Sequence, residues 1–149
     1  MNNIDGRIVE FFSLEEMMNS LADEDIKLEL TPEVVEHAQM MNELRIWAVS
    51  TFPIVYRDGL FVGSWYRTVA FNKTIDGASN SAHLDGRATD ITNINTMSDP
   101  MVQAFAVAWQ VICSIHHKIG GIEIYNWGMH FDNYSDKFGK TSFRTKDNR

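Results

Sequence analysis

An α+β fold, an antiparallel sheet with helices packed on one side, is predicted by three observations. Two stretches, Thr31-Pro32-Glu33 and Ser98-Asp99-Pro100, carry helix-start signals: a hydroxyl cap, a proline in the first turn and a carboxylate facing the dipole. Apolar residues at helical spacing follow each of them. Short strand-like runs fill much of the remainder, and the turn signals Asp58-Gly59 and Trp127-Gly128 fold neighbouring runs back as hairpins.

Taken in order, residues 1–12 are ambiguous: Ile8-Val9-Glu10-Phe11-Phe12 suits a short strand or a helix lead-in. Ser13 and Glu16 form a capping box before Met17, Met18 and Leu21, which predicts a short helix over 14–22. Asp23-Glu24-Asp25 reads as a solvated turn, lacking the ligand spacing and glycine of a calcium loop. The helix opened at Thr31 buries Val34, Ala38, Met41, Leu44 and Ala48; His37 sits beside that face as a surface or packing residue, not a ligand. Pro53–Tyr56 reads as a strand, Leu60–Tyr66 as its returning partner, Thr68–Ile75 as a short helix and 76–80 as a loop.

Arg87–Thr92 reads as a strand with Ala88 and Asp90 on one face and Arg87, Thr89 and Ile91 on the other. The helix from Ser98 runs to about Lys118 with Val102, Phe105, Ala106, Trp109, Ile112 and Cys113 as its core stripe, and Gly120-Gly121 stops it. His116 and His117 in its last turn suit the dipole; adjacent helical side chains diverge by about 100° and chelate poorly. Ile122–Asn126 and Met129–Asp132 form the last hairpin.

The 149 residues fit one domain, with a motif-bearing core over about 31–133 and a polar, basic, solvated tail over 137–149. A net charge of −7 argues against a general nucleic-acid binder, whose affinity comes from neutralising phosphates. Cys113, the single cysteine, lies in an apolar run and reads as a small buried hydrophobe, so no intrachain disulfide forms. No signal peptide and no membrane-length apolar run is visible, so the chain is expected to be made in the cytoplasm. The oligomeric state is not legible.

The chemistry concentrates in Ser81-Ala82-His83-Leu84-Asp85-Gly86-Arg87-Ala88-Thr89-Asp90, with a second histidine downstream at His130. Two imidazoles and one carboxylate leave a fourth position open, the ligand count of a catalytic zinc site. His83 and Asp90 reach one ion if the chain reverses at Gly86, where glycine tolerates the turn. Ala88 shares a face with Asp90 and leaves room for metal and substrate, and Ser81 is placed to hydrogen-bond a ligand or substrate. Mixed nitrogen and oxygen donors suit Zn2+; an all-oxygen magnesium site is not what two histidines imply.

The string S-x-H-x-x-G-x-A-x-D arises by chance about once per million start points at typical residue frequencies. It resembles the signature of the zinc D-Ala-D-Ala carboxypeptidase family, which includes wall carboxypeptidases, VanX-type dipeptidases and phage endolysin peptidases. The signalling domain of hedgehog shares that family's fold and site. Upstream, Gly63-Ser64-Trp65-Tyr66-Arg67, Asn72 and Gly77 resemble the family's approach to the motif, with Ser and Gly in altered order. Downstream, Gly121-Ile122-Glu123-Ile124-Tyr125 and His130-Phe131-Asp132 resemble its "G-I-G-x-Y…H-x-D" strand pair.

The resemblance implies zinc ligands His83, Asp90 and His130, and makes Arg67 a candidate for holding a substrate carboxylate or the oxyanion, against the plainer reading of a surface salt-bridge partner. Many members carry E-x-x-H, with the glutamate as general base; here that position is Trp127, which cannot take a proton. Glu123, a carboxylate in an otherwise apolar strand, and Asp132, which could instead orient a ligand from behind, are the two candidate bases. The expected activity is zinc-dependent hydrolysis of peptidoglycan stem or cross-bridge peptides, as a D,D-carboxypeptidase or endopeptidase of phage lysis or entry type. Two alternatives remain open: a non-catalytic zinc-binding domain on the same scaffold, and a zinc N-acetylmuramoyl-L-alanine amidase.

Overall fold

A computed structural model describes residues 31–134 and 139–149. The expectations for residues 1–12, 14–22 and 23–25 lie outside the described residues.

Helix α1 (Pro32–Thr51) starts where its cap signal stands: the Thr31 hydroxyl accepts the Val34 N–H at 3.2 Å, with Pro32 behind it. After β1 (Val62–Ser64), the Thr68 hydroxyl caps a short helix α2 (Val69–Thr74) by accepting the Phe71 N–H. A single 3-10 turn (Ala82–Asp85) leads into β2 (Ala88–Ile91). Ser98 caps α3 (Asp99–Ile115), and the hairpin of β3 (Gly121–Tyr125) and β4 (Gly128–Asp132) follows. A last strand, β5 (Arg144–Asp147), completes a five-stranded sheet in the order β1-β2-β4-β3-β5. Neighbours are antiparallel except β3 and β5, which run parallel.

The fold class agrees with the sequence, and so do both long helices, the short helix at 69–74 and the last hairpin. At the hairpin tip Gly128 admits no side chain, because a Cβ there would stand 2.1 Å from the Ile91 carbonyl oxygen. Two expectations fail. Pro53–Tyr56 is not a strand but a run of turns after α1, in which the Tyr56 N–H donates to Phe52 O and the Gly59 N–H to Tyr56 O. Its apolar residues do not share a buried face: Tyr56 is 1% exposed and packs on Phe105, while Ile54 is 87% exposed. The returning strand shrinks to Val62–Ser64, which pairs with β2 and, among the described residues, with nothing on its other side.

The second concerns the polar tail over 137–149: residues 145–147 are exposed, as a solvated tail is, but 144–147 form a strand. Residues 144–147 pair with β3 in register Gly121↔Arg144 and Glu123↔Lys146. As an edge strand β5 has little apolar content, and charged side chains are the usual way an edge is kept from pairing further. Its C-terminal end is pinned by Arg149, which bonds the Asp99 and Asp147 carboxylates and the Thr96 carbonyl.

The core lies between α1, α3 and one face of the sheet. Met40, Met41 and Leu44 from α1, Phe105 and Trp109 from α3, and Ile91, Ile122, Met129 and Phe131 from the strands are fully buried there. Each such side chain contributes about 1.5–3 kcal/mol by leaving water. Cys113 is buried among them, as expected. His37, placed beside the apolar stripe by the sequence, is inside it at 0% exposure, between Trp65 and Trp109 and 3.0 Å from Thr89 Oγ1. His116 links the helices by bonding Glu36 and Glu43.

Candidate metal centre

Strand alternation sends the residues between the core positions to the opposite face. The register aligns Ser64, Asp90, His130, Glu123 and Lys146 in one row across all five strands. Ala88 and Asp132 lie in the next row. His83 comes to this face from the 3-10 turn. Gly86 ends that turn in the left-handed region, at φ 67°, so the reversal needed between His83 and Asp90 is made where a side chain is least tolerated. Ser81 caps the turn, its hydroxyl accepting the His83 N–H at 3.2 Å.

The result is a tight triangle of donor atoms. His83 Nε2 lies 3.2 Å from Asp90 Oδ1 and 3.2 Å from His130 Nδ1, and His130 Nδ1 lies 2.9 Å from Asp90 Oδ1. Ligands about 2.0–2.1 Å from a tetrahedral ion stand about 3.3 Å from one another, so these spacings are nearly the edges of a zinc-sized tetrahedron with one corner open. Among the described residues His83, Asp90 and His130 are the one group of three so arranged, and all are buried.

The far side of every donor is occupied. His83 Nδ1 donates to the Trp65 carbonyl at 2.6 Å, which leaves Nε2 with its lone pair inward. His130 Nε2 donates to Asp132 Oδ2 at 2.8 Å, which does the same for Nδ1. Arg67 donates to Asp90 Oδ2 at 3.2 Å and to Ser64 Oγ at 3.1 Å. Trp65 is itself fixed, its indole N–H donating to the Gly86 carbonyl at 2.8 Å. Trp109 reaches from α3 to donate to the Asp132 carbonyl at 2.9 Å. The residues present therefore fit a divalent cation: three convergent donors, both imidazole tautomers set, and one carboxylate oxygen turned inward.

The electrostatics have the same cause. Burial favours neutral Asp90, but the adjoining imidazoles of His83 and His130 hold its carboxyl well below the usual range. Burial likewise opposes charge on Asp132, yet His130 and Arg144 keep its pKa low. Burial pulls His130 down and the two carboxylates, Asp132 and Asp90, more than reverse it, to about 10. His83 is held below the ordinary imidazole value, because burial outweighs the pull of Asp90. A cation held by the three donors would take the place of any proton shared among them.

The other candidates separate. Asp132 is 0% exposed, and its oxygens are taken by His130, Arg144 and the Tyr134 N–H. It supports His130 from behind. Glu123 lies directly across from His130, with Oε2 3.8 Å from His130 Nε2 and Oε1 accepting the Tyr125 hydroxyl at 3.1 Å. Glu123, His130 and Ser81 line one cleft of about 350 Å3 together with Arg144 and Lys146. Trp127 stands off at the hairpin tip, 46% exposed and stacked on Tyr125. Arg67 is at the site, gripping Asp90, with its side chain 13% exposed.

Reasoning from sequence missed the carbonyl of Trp65, the hydroxyl of Tyr125 and the whole contribution of β5. Only the last left a signal, the alternation Arg144-x-Lys146, which matches a strand with one charged face.

No curated protein and no solved structure shows a significant match to the chain. A family model described as Peptidase M15 matches residues 12–131, a span that contains the three convergent donors and most of the sheet that positions them. The buried His83, Asp90 and His130 group could hold the metal ion of a metallopeptidase, and the match covers well over half of the sequence, so the chain belongs to the peptidase M15 family.

Proposed function

We propose that this protein is a zinc-dependent peptidase that hydrolyses peptidoglycan stem or cross-bridge peptides. The observation that carries the reading is the triangle of His83, Asp90 and His130 donors with each far atom tied off. The mixed nitrogen and oxygen set, the spacing and the open corner favour zinc over a hard-oxygen cation. Zinc bound there would polarise the scissile carbonyl and make a water acidic at neutral pH.

The chain's own residues supply the rest. Glu123 is the one carboxylate among the described residues lining the cleft, and we assign it the proton of the attacking water and its delivery to the leaving amine. The Tyr125 hydroxyl holds one oxygen of that carboxylate and so orients the other. Arg67 fixes Asp90 and Ser64 through one edge of its guanidinium; we assign its remaining N–H groups, which bond nothing else among the described residues, to a substrate oxygen. Ser81 offers its hydroxyl at the cleft wall.

The test is digestion of purified muropeptides, with and without chelator, followed by mass analysis and by restoring zinc. Loss of D-alanine or opening of a cross-link, abolished by chelator and recovered with zinc, supports the proposal. Cleavage between the lactyl group and the first amino acid would make the protein an amidase. Tight zinc binding with no cleavage of any muropeptide would make it a non-catalytic domain. The phage lysis or entry role belongs to the same proposal, and clearing of intact sacculi by added protein tests it.

A further inference from the structure

Trp127 stands at the tip of the β3–β4 hairpin with 46% of its surface exposed, so core packing does not account for it. Its indole lies flat on the Tyr125 ring, with centroids 4.8 Å apart and planes 13° from parallel. Among the described residues this is the one stacked pair; the other ring pairs meet edge-on or tilted, at 50° or more.

The Tyr125 ring is otherwise poorly flanked. Strand alternation puts it on the same face as Glu123, two residues back. Opposite it on β4 is Gly128, where a Cβ would stand 2.1 Å from the Ile91 carbonyl oxygen, so no side chain can flank the phenol there. On the other side the ladder to β5 ends one residue earlier, at Ile124↔Asp147. Cross-strand neighbours are what usually hold a ring on a sheet, and here the indole from the hairpin tip takes their place.

The ring carries a hydroxyl that matters to the site. The Tyr125 hydroxyl donates to Glu123 Oε1 at 3.1 Å, the one hydrogen bond to that carboxylate among the described residues. The charged neighbours of Glu123 stand farther off, His130 at 3.8 Å, Arg144 at 3.9 Å and Lys146 at 4.0 Å. At those separations they attract the carboxylate without setting its direction. Indole, phenol and carboxylate thus form a contact series that runs from the hairpin tip to the candidate metal centre.

We propose that Trp127 is a positioning residue: by clamping the Tyr125 ring it holds the Glu123 carboxylate in the one orientation that faces the candidate metal centre. This rests on the peptidase reading above, which gives Glu123 its task, and adds a residue on which that task depends. Trp127 is not among the described residues that line the cleft, so it acts through Tyr125 and not by touching substrate.

The test is a double-mutant cycle on the full chain acting on muropeptides, with kcat, KM and zinc content measured for each variant. W127A is expected to lower kcat about two- to tenfold, the range that an aromatic stack can transmit, with KM and zinc content unchanged. W127F keeps a ring to stack and should retain most of the native kcat. Y125F breaks the series at the hydroxyl, so W127A added to Y125F should cost nothing more. Undiminished kcat in W127A, a rise in KM in its place, or an equal loss in the Y125F background overturns the proposal. A second readout needs no turnover. Three-bond couplings of Glu123 in chelator-treated protein should report one side-chain rotamer in the native chain and in W127F, and a mixture in W127A and Y125F. One rotamer in every variant overturns the proposal. If no muropeptide is cut, the peptidase reading fails on its own, and the couplings still decide whether Trp127 fixes Glu123.

Discussion

On β2 and β4, Asp90, His130 and Asp132 are at most 7% exposed, and the imidazole–carboxylate contacts run from 2.8 to 3.2 Å. On β3 and β5 the same face of the same sheet is looser: Glu123 and Lys146 stay accessible, and their charged neighbours stand 3.8 to 4.0 Å away. Under the proposed function the two regions have different tasks. A cation site must be assembled before the ion arrives, so every degree of freedom of its donors is removed by a neighbour. Groups that accept a proton or meet a substrate must remain reachable, and a fully satisfied carboxylate such as Asp132 is not. Burial thus differs between the two acidic residues that the sequence left as rivals, and it is the ground on which the proposal above takes Glu123.

Substitutions that break this comparison should rank by region. H83A or D90A removes a donor from the rigid half and should abolish both stoichiometric zinc, read by elemental analysis after dialysis, and all turnover. E123Q acts in the open half: zinc content should be unchanged while kcat falls about 10²–10⁴-fold, the range for loss of a general base. Full turnover in that variant would move the base elsewhere. D132N leaves the donors but loosens the support of His130, and should weaken zinc affinity about 10–100-fold in a competition titration.

The smallest effect comes from the helix-covered face. Burial lowers the His37 pKa from its usual 6.5 to about 3, so the unfolded chain binds this proton first as pH falls. The cost to stability therefore begins below pH 6.5, deepens toward pH 3 and is absent at neutral pH. One unit below the unfolded value it amounts to about 1.4 kcal/mol. Unfolded carboxylates titrate near pH 4, so the window from 6.5 to 5 isolates the imidazoles. Chemical denaturation across that window should show H37Q losing one proton's worth of the native slope. An unchanged slope would mean that His37 is not neutral in the fold.

The rigid half was the legible one. His83 and Asp90 lie within one turn and strand, so their spacing and Gly86 carry the geometry locally, and His130 follows from the strand pair downstream. The open half was not. Whether Glu123 or Asp132 faces the cleft depends on which is covered by Arg144, a residue far along the chain. β5 was taken for a tail because an edge strand pinned by arginines has the composition of one. Pro53–Tyr56 misled for the opposite reason: an apolar run looked like a strand although only Tyr56 enters the core.

Trp65 and Trp109 are both fully buried, and each holds the backbone or side chain behind a donor: one through His83 and Gly86, the other through Asp132. The protein consequently carries its own optical gauge of the cation. If a divalent cation binds between His83, Asp90 and His130, the field across both shielded indoles should change, and ultraviolet emission should track occupancy without any added dye.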